Sequence, residues 1–188
     1  MKKRIWFIIN PISGVRRKDD IPSLVREYLD HNQYDFEIQY TTHKGHGSEL
    51  AKEAKKLAID IVCAVGGDGS VHEIGTSLIG SNVLLAIIPI GSGNGLARHM
   101  NIPLTIKKAI HCINDQHKIT MDTILVNEQA FLGVGGYGFD ALIAQKFEGA
   151  KRRGLVTYFK LVLREFFKYF IWNHLNIIIC INKNFFSA

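Results

Sequence analysis

The chain has 188 residues, of which 47% are hydrophobic and 21% charged, and a formal net charge of +6. A chain of this size holds enough apolar material to bury roughly 70% of its unfolded surface, and its four prolines and scattered charge exclude a disordered polymer. Cys63, Cys112 and Cys180 have neither metal nor redox spacing and read as small core residues in a reducing cytosol.

Residues 1–122 carry 15 basic and 13 acidic side chains, and residues 123–188 carry 8 and 4, so the smaller part holds most of the excess charge. That excess fits a solvated basic face or an anionic membrane surface. The basic start leads into an apolar run that stops at Asn10-Pro11, too short for a signal-peptide core and expected to be a strand. The longest apolar region, Leu155 to Ile181, is broken by Lys160, Arg164, Glu165, Lys168 and His174. It does not supply the run of about 20 apolar residues that a bilayer span takes.

In chain order, a strand over Arg4–Ile9 runs into Asn10-Pro11-Ile12-Ser13-Gly14. Asp19-Asp20-Ile21-Pro22 opens a helix whose stripe is Ile21, Leu24, Val25, Tyr28 and Leu29. Phe36, Ile38 and Tyr40 alternate in a strand over Asp35–Thr41, which leads into Thr41-Thr42-His43-Lys44-Gly45. Ser48 is expected to cap a second helix with Leu50, Ala51, Ala54, Leu57 and Ala58 inward. Ile59–Val65 and Val83–Ile90 are continuous apolar runs, the pattern of parallel strands covered on both faces. They end in Gly66-Gly67-Asp68-Gly69-Ser70 and Gly91-Ser92-Gly93-Asn94-Gly95, with Ser70 expected to start the intervening helix. The fold class is therefore α/β, doubly wound.

After Pro103 the pattern changes. A helix through Ile106, Ala109, Ile110 and Ile113 precedes a hairpin of Lys118–Val126 and Gln129–Val134 about Asn127-Glu128. A glycine loop over 133–138, a short helix from Asp140, a longer helix over Leu155–Ile171 and a strand over Leu175–Ile181 follow. The expected organisation is a nucleotide-binding α/β domain over 1–122 and the opening of an incomplete second domain over 123–188. A sheet left with an unpaired edge would favour a homo-oligomer.

In an open parallel sheet, ligands bind outside the carboxyl ends of the strands. Four such ends here are rich in Gly, Ser, Thr or Asn, the composition of a phosphate cradle. At Gly66-Gly67 the backbone is expected to reach positive φ and to let a polyphosphate approach without a Cβ in the way. Asp68, exposed between glycines, has two uses beside phosphates: holding Mg²⁺, or accepting a proton from an attacking hydroxyl. The plain alternative is an Asp-capped β-α turn. Ser92 and Asn94 repeat the design one strand further on, with side chains able to bond phosphate, ribose or water. No Gly-Lys-Ser/Thr follows the second loop and no Gly-x-Gly-x-x-Gly follows the first strand, so neither a Walker A loop nor a standard dinucleotide fold is indicated.

Taken together, Asn10-Pro11-Ile12-Ser13-Gly14, Thr42 before Gly45-His46-Gly47, the Gly-Gly-Asp-Gly-Ser loop with Glu73, and Pro89 through Arg98 resemble the diacylglycerol kinase/sphingosine kinase catalytic-domain family. The bacterial diacylglycerol kinase-like lipid kinases are the nearest group, and Met121-Asp122 and Gly136 through Ala141 extend the likeness. The resemblance implies ATP-dependent transfer of phosphate to a lipid hydroxyl, of diacylglycerol or a sphingoid-like lipid, in a cleft before a β-sandwich-like second domain. It implies nucleotide contacts from Asn10, Pro11, Ser13, Gly14, Thr42, Gly66, Gly67, Asp68, Gly69, Ser70, His72, Gly91, Ser92, Gly93 and Asn94. Asp68 and Glu73 fall on the ATP–Mg²⁺ side, with Asp68 the metal ligand, and Asp140 lies where an acid meets the lipid head group. The implied partners are ATP and a lipid at the membrane surface, not nucleic acid, for a cytoplasmic protein peripheral to the membrane.

The family's usual Thr, Asn and Asp are here Ser70, His72 and Gly95. In the bacterial members further metal-binding acids and the catalytic acid lie in the later half of the second domain, so this chain is expected to lack part of that machinery. A nucleotide-binding fragment without turnover is the alternative, and an NAD kinase-like enzyme, which shares the Gly-Gly-Asp-Gly loop, a further one. His43 and His46 suggest a metal site but have no carboxylate partner at ligand spacing in the sequence. Lys151-Arg152-Arg153 reads as a solvated helix start or as a contact to ATP phosphates or lipid head groups. Phe159, Phe166, Phe167, Phe170 and Trp172 read mainly as core, the alternative being that part of the stripe is exposed where its covering sheet is missing.

Overall fold

β1 (Lys3–Ile9), β2 (Tyr34–Tyr40), β3 (Ile61–Gly66) and β4 (Leu84–Pro89) form one parallel sheet in the order β2-β1-β3-β4. The computed structural model describes residues 2–11, 20–126, 129–133, 139–148 and 158–166. Chain-sequential strands run outward from β1 in one direction and from β3 in the other, which makes the β1–β3 boundary the topological switch point of the sheet.

The alternation of side chains along β1 sorts the core into two layers. Ile5, Phe7 and Ile9 face α1 (Ile21–Tyr28) and α5 (Ile106–Asn114), packing with Val25, Ile110 and Cys63. Trp6 and Ile8 face the other side, with α2 (His46–Lys56), α3 (Asp68–Leu78) and the short α4 (Gly95–His99), around Ala51, Ile74 and Leu96. Burial on both faces explains why β1 and β3 are continuous apolar runs. Cys63 is fully buried, and that burial pushes its thiol pKa up, as expected of a core residue. Cys112 is half-buried, and Cys180 lies outside the described residues.

Several expectations change at the helix starts. α2 begins at His46, after Gly45 in the left-handed region at φ 93°, so Ser48 sits inside the first turn and does not cap it. Ser48 Oγ instead pairs with Ser77 Oγ at 2.7 Å, joining α2 to α3. α3 begins at Asp68, not Ser70, with Gly67 as its N-cap. α4 has no counterpart in the sequence reading; its buried Leu96 and Ala97 are its only apolar signal.

Contacts divide the chain into two units, Met1–Val134 and Gly135–Ala188. The antiparallel pair β5 (Ile124–Val126) and β6 (Gln129–Phe131), grouped by sequence with the second domain, falls in the first unit. Among the described residues it pairs three residues on each strand, fewer than the expected hairpin. In the second unit, α6 (Phe139–Glu148) begins one residue before Asp140, and residues 158–166 form a further helix. Lys146 Nζ reaches the buried Glu165 Oε2 at 2.6 Å, and Phe139 meets Phe166 edge to face. Phe159 and Phe166 are exposed to 61% and 42%, the exposed part of the aromatic stripe and not its core. The strand over 175–181, Lys151-Arg152-Arg153, Phe167, Phe170 and Trp172 lie outside the described residues.

Candidate functional site

Because all four strands are parallel, their carboxyl ends share one edge of the sheet, and the four polar loops leave from that edge. Asn10 leaves β1 and Gly66 closes β3, on either side of the switch point. The Asn10 amide donates to Val65 O at 3.4 Å, and Asn10 Nδ2 donates to Ser70 Oγ at 3.5 Å. Pro11 is exposed beside them; Ser13 and Gly14 lie outside the described residues.

The loops after β3 and β4 touch backbone to backbone. A Cβ on Gly91 would stand 2.5 Å from Gly67 Cα, and a Cβ on Gly67 would stand 3.2 Å from Gly91 Cα. Gly67 itself has φ −95°, and neither Gly66 nor Gly69 adopts positive φ. Glycine at 67 and 91 therefore serves close approach between loops and not the left-handed backbone expected from sequence. Gly69 is different: nothing lies within 4 Å of a Cβ placed there.

Asp68 spans the same two loops. Its Oδ1 accepts the Gly95 N–H at 2.6 Å, and its Oδ2 lies 2.7 Å from where a Cβ on Gly93 would stand. Asp68 is exposed and makes no capping bond to its own helix, which removes the plain N-cap reading. Asn94, buried and at φ 53°, turns its amide inward: Gly91 N–H donates to Oδ1 at 3.0 Å, and Nδ2 donates to Gly91 O at 2.7 Å. Its side chain pins the loop. Ser92 is the exposed hydroxyl there, and Arg98 Nε donates to Gly93 O at 2.9 Å.

His72, one turn into α3, holds β6. His72 Nδ1 lies 3.2 Å from Leu132 O and 3.3 Å from Leu132 N, and the His72 and Phe131 rings lie 4.9 Å apart. A cleft of about 390 Å³ opens there, its walls including Asp68, Val71, His72, Leu96, Phe131 and Leu132. A carboxylate at one end and apolar side chains along the wall suit an amphipathic acceptor. The sequence did not disclose the Phe131–Leu132 wall, since it depends on where the hairpin docks.

Thr42 is exposed at the end of β2, and its N–H and Oγ1 each lie 3.1 Å from His46 Nδ1. His43, His46 and Glu49 cluster, with His43 Nε2 3.7 Å from Glu49 Oε2, so the carboxylate partner missing from the sequence reading does exist. The two imidazoles nevertheless stack at 4.7 Å and 17°. A ring nitrogen binds a metal in the plane of its ring, and near-parallel stacked rings share no such point. His46 Nδ1 is already an acceptor for Thr42, and the two rings form a stacked pair. Glu73, half-buried in α3, turns to α2, where its Oε1 accepts the Ser48 N–H at 3.2 Å. Asp140, the second residue of α6, belongs to the other unit.

The sequence profile of the diacylglycerol kinase catalytic domain matches residues 4–126. The chain belongs to that family. It is 33% identical over 108 residues to "Probable lipid kinase YegS" of Shigella boydii and of Escherichia coli, matches that cover 54% of this chain and 36% of theirs. A diacylglycerol kinase structure from Bacillus anthracis str. Sterne superposes with a TM-score of 0.60 at 26% identity, covering 70% of this chain and 48% of that one. The family member described here thus spans about a third of the length of the curated relatives it matches and about half of that neighbour. The matched stretch contains all four strand-end loops and ends within β5.

Proposed function

We propose that this chain binds ATP with Mg²⁺ along the carboxyl edge of the β2-β1-β3-β4 sheet and serves in transfer of the γ-phosphate to a lipid hydroxyl. The observation that carries this reading is the Gly67–Gly91 contact with Asp68 laid across it. Two backbones that approach so closely leave a side-chain-free floor, and polyphosphates are bound by main-chain N–H groups on such floors. Asn10 and Ser70 at the switch point, Thr42 beyond β2, Ser13 and Gly14, and Ser92 beyond β4 supply the surrounding polar contacts. Gly66, Gly69, Gly93 and Pro11 keep the approach open. Asn94 and His72 shape it from behind.

The donor set suits magnesium. Mg²⁺ is held by one or two carboxylates together with substrate phosphates and water, and Asp68 is an exposed carboxylate at that position. When bound, the ion would neutralise charge on the transferring phosphate. Asp68 also keeps the second loop in place through Gly95. The lipid hydroxyl would approach along the Leu96–Phe131–Leu132 wall, from a membrane surface to which the protein attaches without crossing; among the described residues no helix is long and apolar enough to span one. Diacylglycerol is the proposed acceptor class; Asp140, which the family likeness sets at the lipid head group, belongs to the other unit.

Radiolabelled ATP with Mg²⁺ and mixed vesicles containing diacylglycerol, with NAD as a control acceptor, tests the reading. Saturable, Mg²⁺-dependent ATP binding, with any label that is transferred passing to lipid and not to NAD, is the expected result. Label transfer to NAD but not to lipid would overturn it.

A further inference from the structure

Glu73 sits among the residues that the family resemblance assigns to catalysis, yet its carboxylate is spent inside the protein. Oε1 accepts the N–H of Ser48, the third residue of α2, at 3.2 Å, sharing it with the Gly45 carbonyl at 3.0 Å. α2 lacks a side-chain cap of its own, because its N-cap is Gly45. The space for the carboxylate is provided by Gly47, where a Cβ would stand 2.9 Å from Glu73 Oε1. Below this contact, Ser48 Oγ pairs with Ser77 Oγ at 2.7 Å, and Lys55 Nζ donates to Ser77 O at 3.2 Å. The first turn of α2 is thus fastened to α3 by a carboxylate and a hydroxyl pair.

That fastening has a consequence at the sheet edge. His46, the first residue of α2, holds Thr42 through its Nδ1. α3 in turn begins at Asp68 and carries Ser70 in its first turn. We infer that Glu73 is a positioning residue: by capping α2 from α3, it sets the Thr42 loop in register with the Gly66–Ser70 loop. A negative charge at the amino end of α2 also complements the helix dipole there. This inference rests on the nucleotide reading for its effect on binding, but not for the fastening itself.

The test uses the full chain and three forms: wild type, Glu73→Ala and Glu73→Gln. Gln keeps an oxygen acceptor and loses the charge. Hydrogen exchange without nucleotide should speed up by about tenfold at Thr42 in Glu73→Ala, and by less at Ser48, which keeps the Gly45 carbonyl, and Glu73→Gln should recover most of it. Exchange in β3, at Val62 and Ala64, should stay as in wild type. Titration with ATP and Mg²⁺ should show affinity weakened about tenfold in Glu73→Ala and within about threefold of wild type in Glu73→Gln. Unchanged exchange at Thr42 in Glu73→Ala would overturn the inference. So would a Glu73→Gln variant with wild-type exchange but Mg²⁺-dependent ATP binding as weak as the Ala form, which would put Glu73 on the metal. A wild-type chain that binds no ATP would refute the proposed function, while the exchange data would still decide the role of Glu73.

Discussion

Asp68 Oδ1 and the Gly95 amide are 2.6 Å apart, so one carboxylate closes the gap between the loops that leave β3 and β4. This gives Asp68 a conformational duty beside its proposed chemical one, and the two can be separated. Asp68→Asn keeps an oxygen for Gly95 and removes the charge. Because the contact is exposed, stability should fall by no more than about 1 kcal/mol, a melting shift of about 2–4 °C. Mg²⁺-dependent ATP affinity and phosphate transfer should drop by about tenfold or more. Calorimetry with and without Mg²⁺ and a transfer assay check both halves.

The glycines divide by neighbour. Gly91→Ala forces a methyl to within 2.5 Å of Gly67 Cα and 2.8 Å of Asn94 Oδ1, where backbone must move. It should cost about 1–3 kcal/mol by overpacking. Gly69→Ala meets nothing within 4 Å and lies in the first turn of α3. Its stability should stay the same or rise by about 0.5–1 kcal/mol, while the added methyl obstructs phosphate approach and lowers ATP affinity. Gly67→Val would be the weaker probe of the nucleotide, because it disturbs the Gly91 contact first. Thermal denaturation beside nucleotide titration separates the three.

Asn94 combines positive φ with two hydrogen bonds to Gly91. Asn94→Ala loses both bonds and keeps a side chain in the left-handed region, so it should cost about 2–3 kcal/mol. Asn94→Gly should cost less, since it relieves the backbone while losing the same bonds. Urea denaturation of the two variants should rank them in that order; equal losses would show that the backbone conformation contributes nothing.

At the opposite end of the sheet, the Tyr34 hydroxyl donates to Ile113 O at 2.9 Å in a buried setting. Tyr34→Phe removes one of the two donors to that carbonyl, which keeps the Gln116 N–H at 3.1 Å, and should cost about 0.5–1.5 kcal/mol with no change in ATP affinity. Burial, with the nearby Asp30 charge, raises the Tyr34 pKa above its ordinary 10.0. The folded state therefore favours the protonated phenol: its contribution is complete below pH 10 and is lost as pH rises through the folded pKa. Stability measured from pH 8 upward should fall less steeply in Tyr34→Phe than in wild type.

The parallel sheet was readable because burial on both faces leaves strands apolar at every position, as in Ile61 through Val65. The shared loop edge followed from the strand ends alone. What the residue pattern could not show was which polar side chains serve the protein itself. Asn94 and Glu73 look like ligand groups in a string of letters, and only their partners, Gly91 and Ser48, reveal them as internal fastenings. The start of α2 was misread for a related reason. Ser48 has the chemistry of a cap, but Gly45 has the backbone for it, and the cap is supplied from 25 residues away.

The most direct test of the central claim is an amide chemical-shift titration of the full chain with ATP and Mg²⁺. The account predicts that the largest shifts fall on Asn10, Thr42, Gly67, Gly69 and Ser92, the four strand ends on one sheet edge, with Lys3 and Ile61 at the opposite edge unmoved. Saturable shifts confined to any other surface, or none at all at millimolar ATP–Mg²⁺, would contradict it.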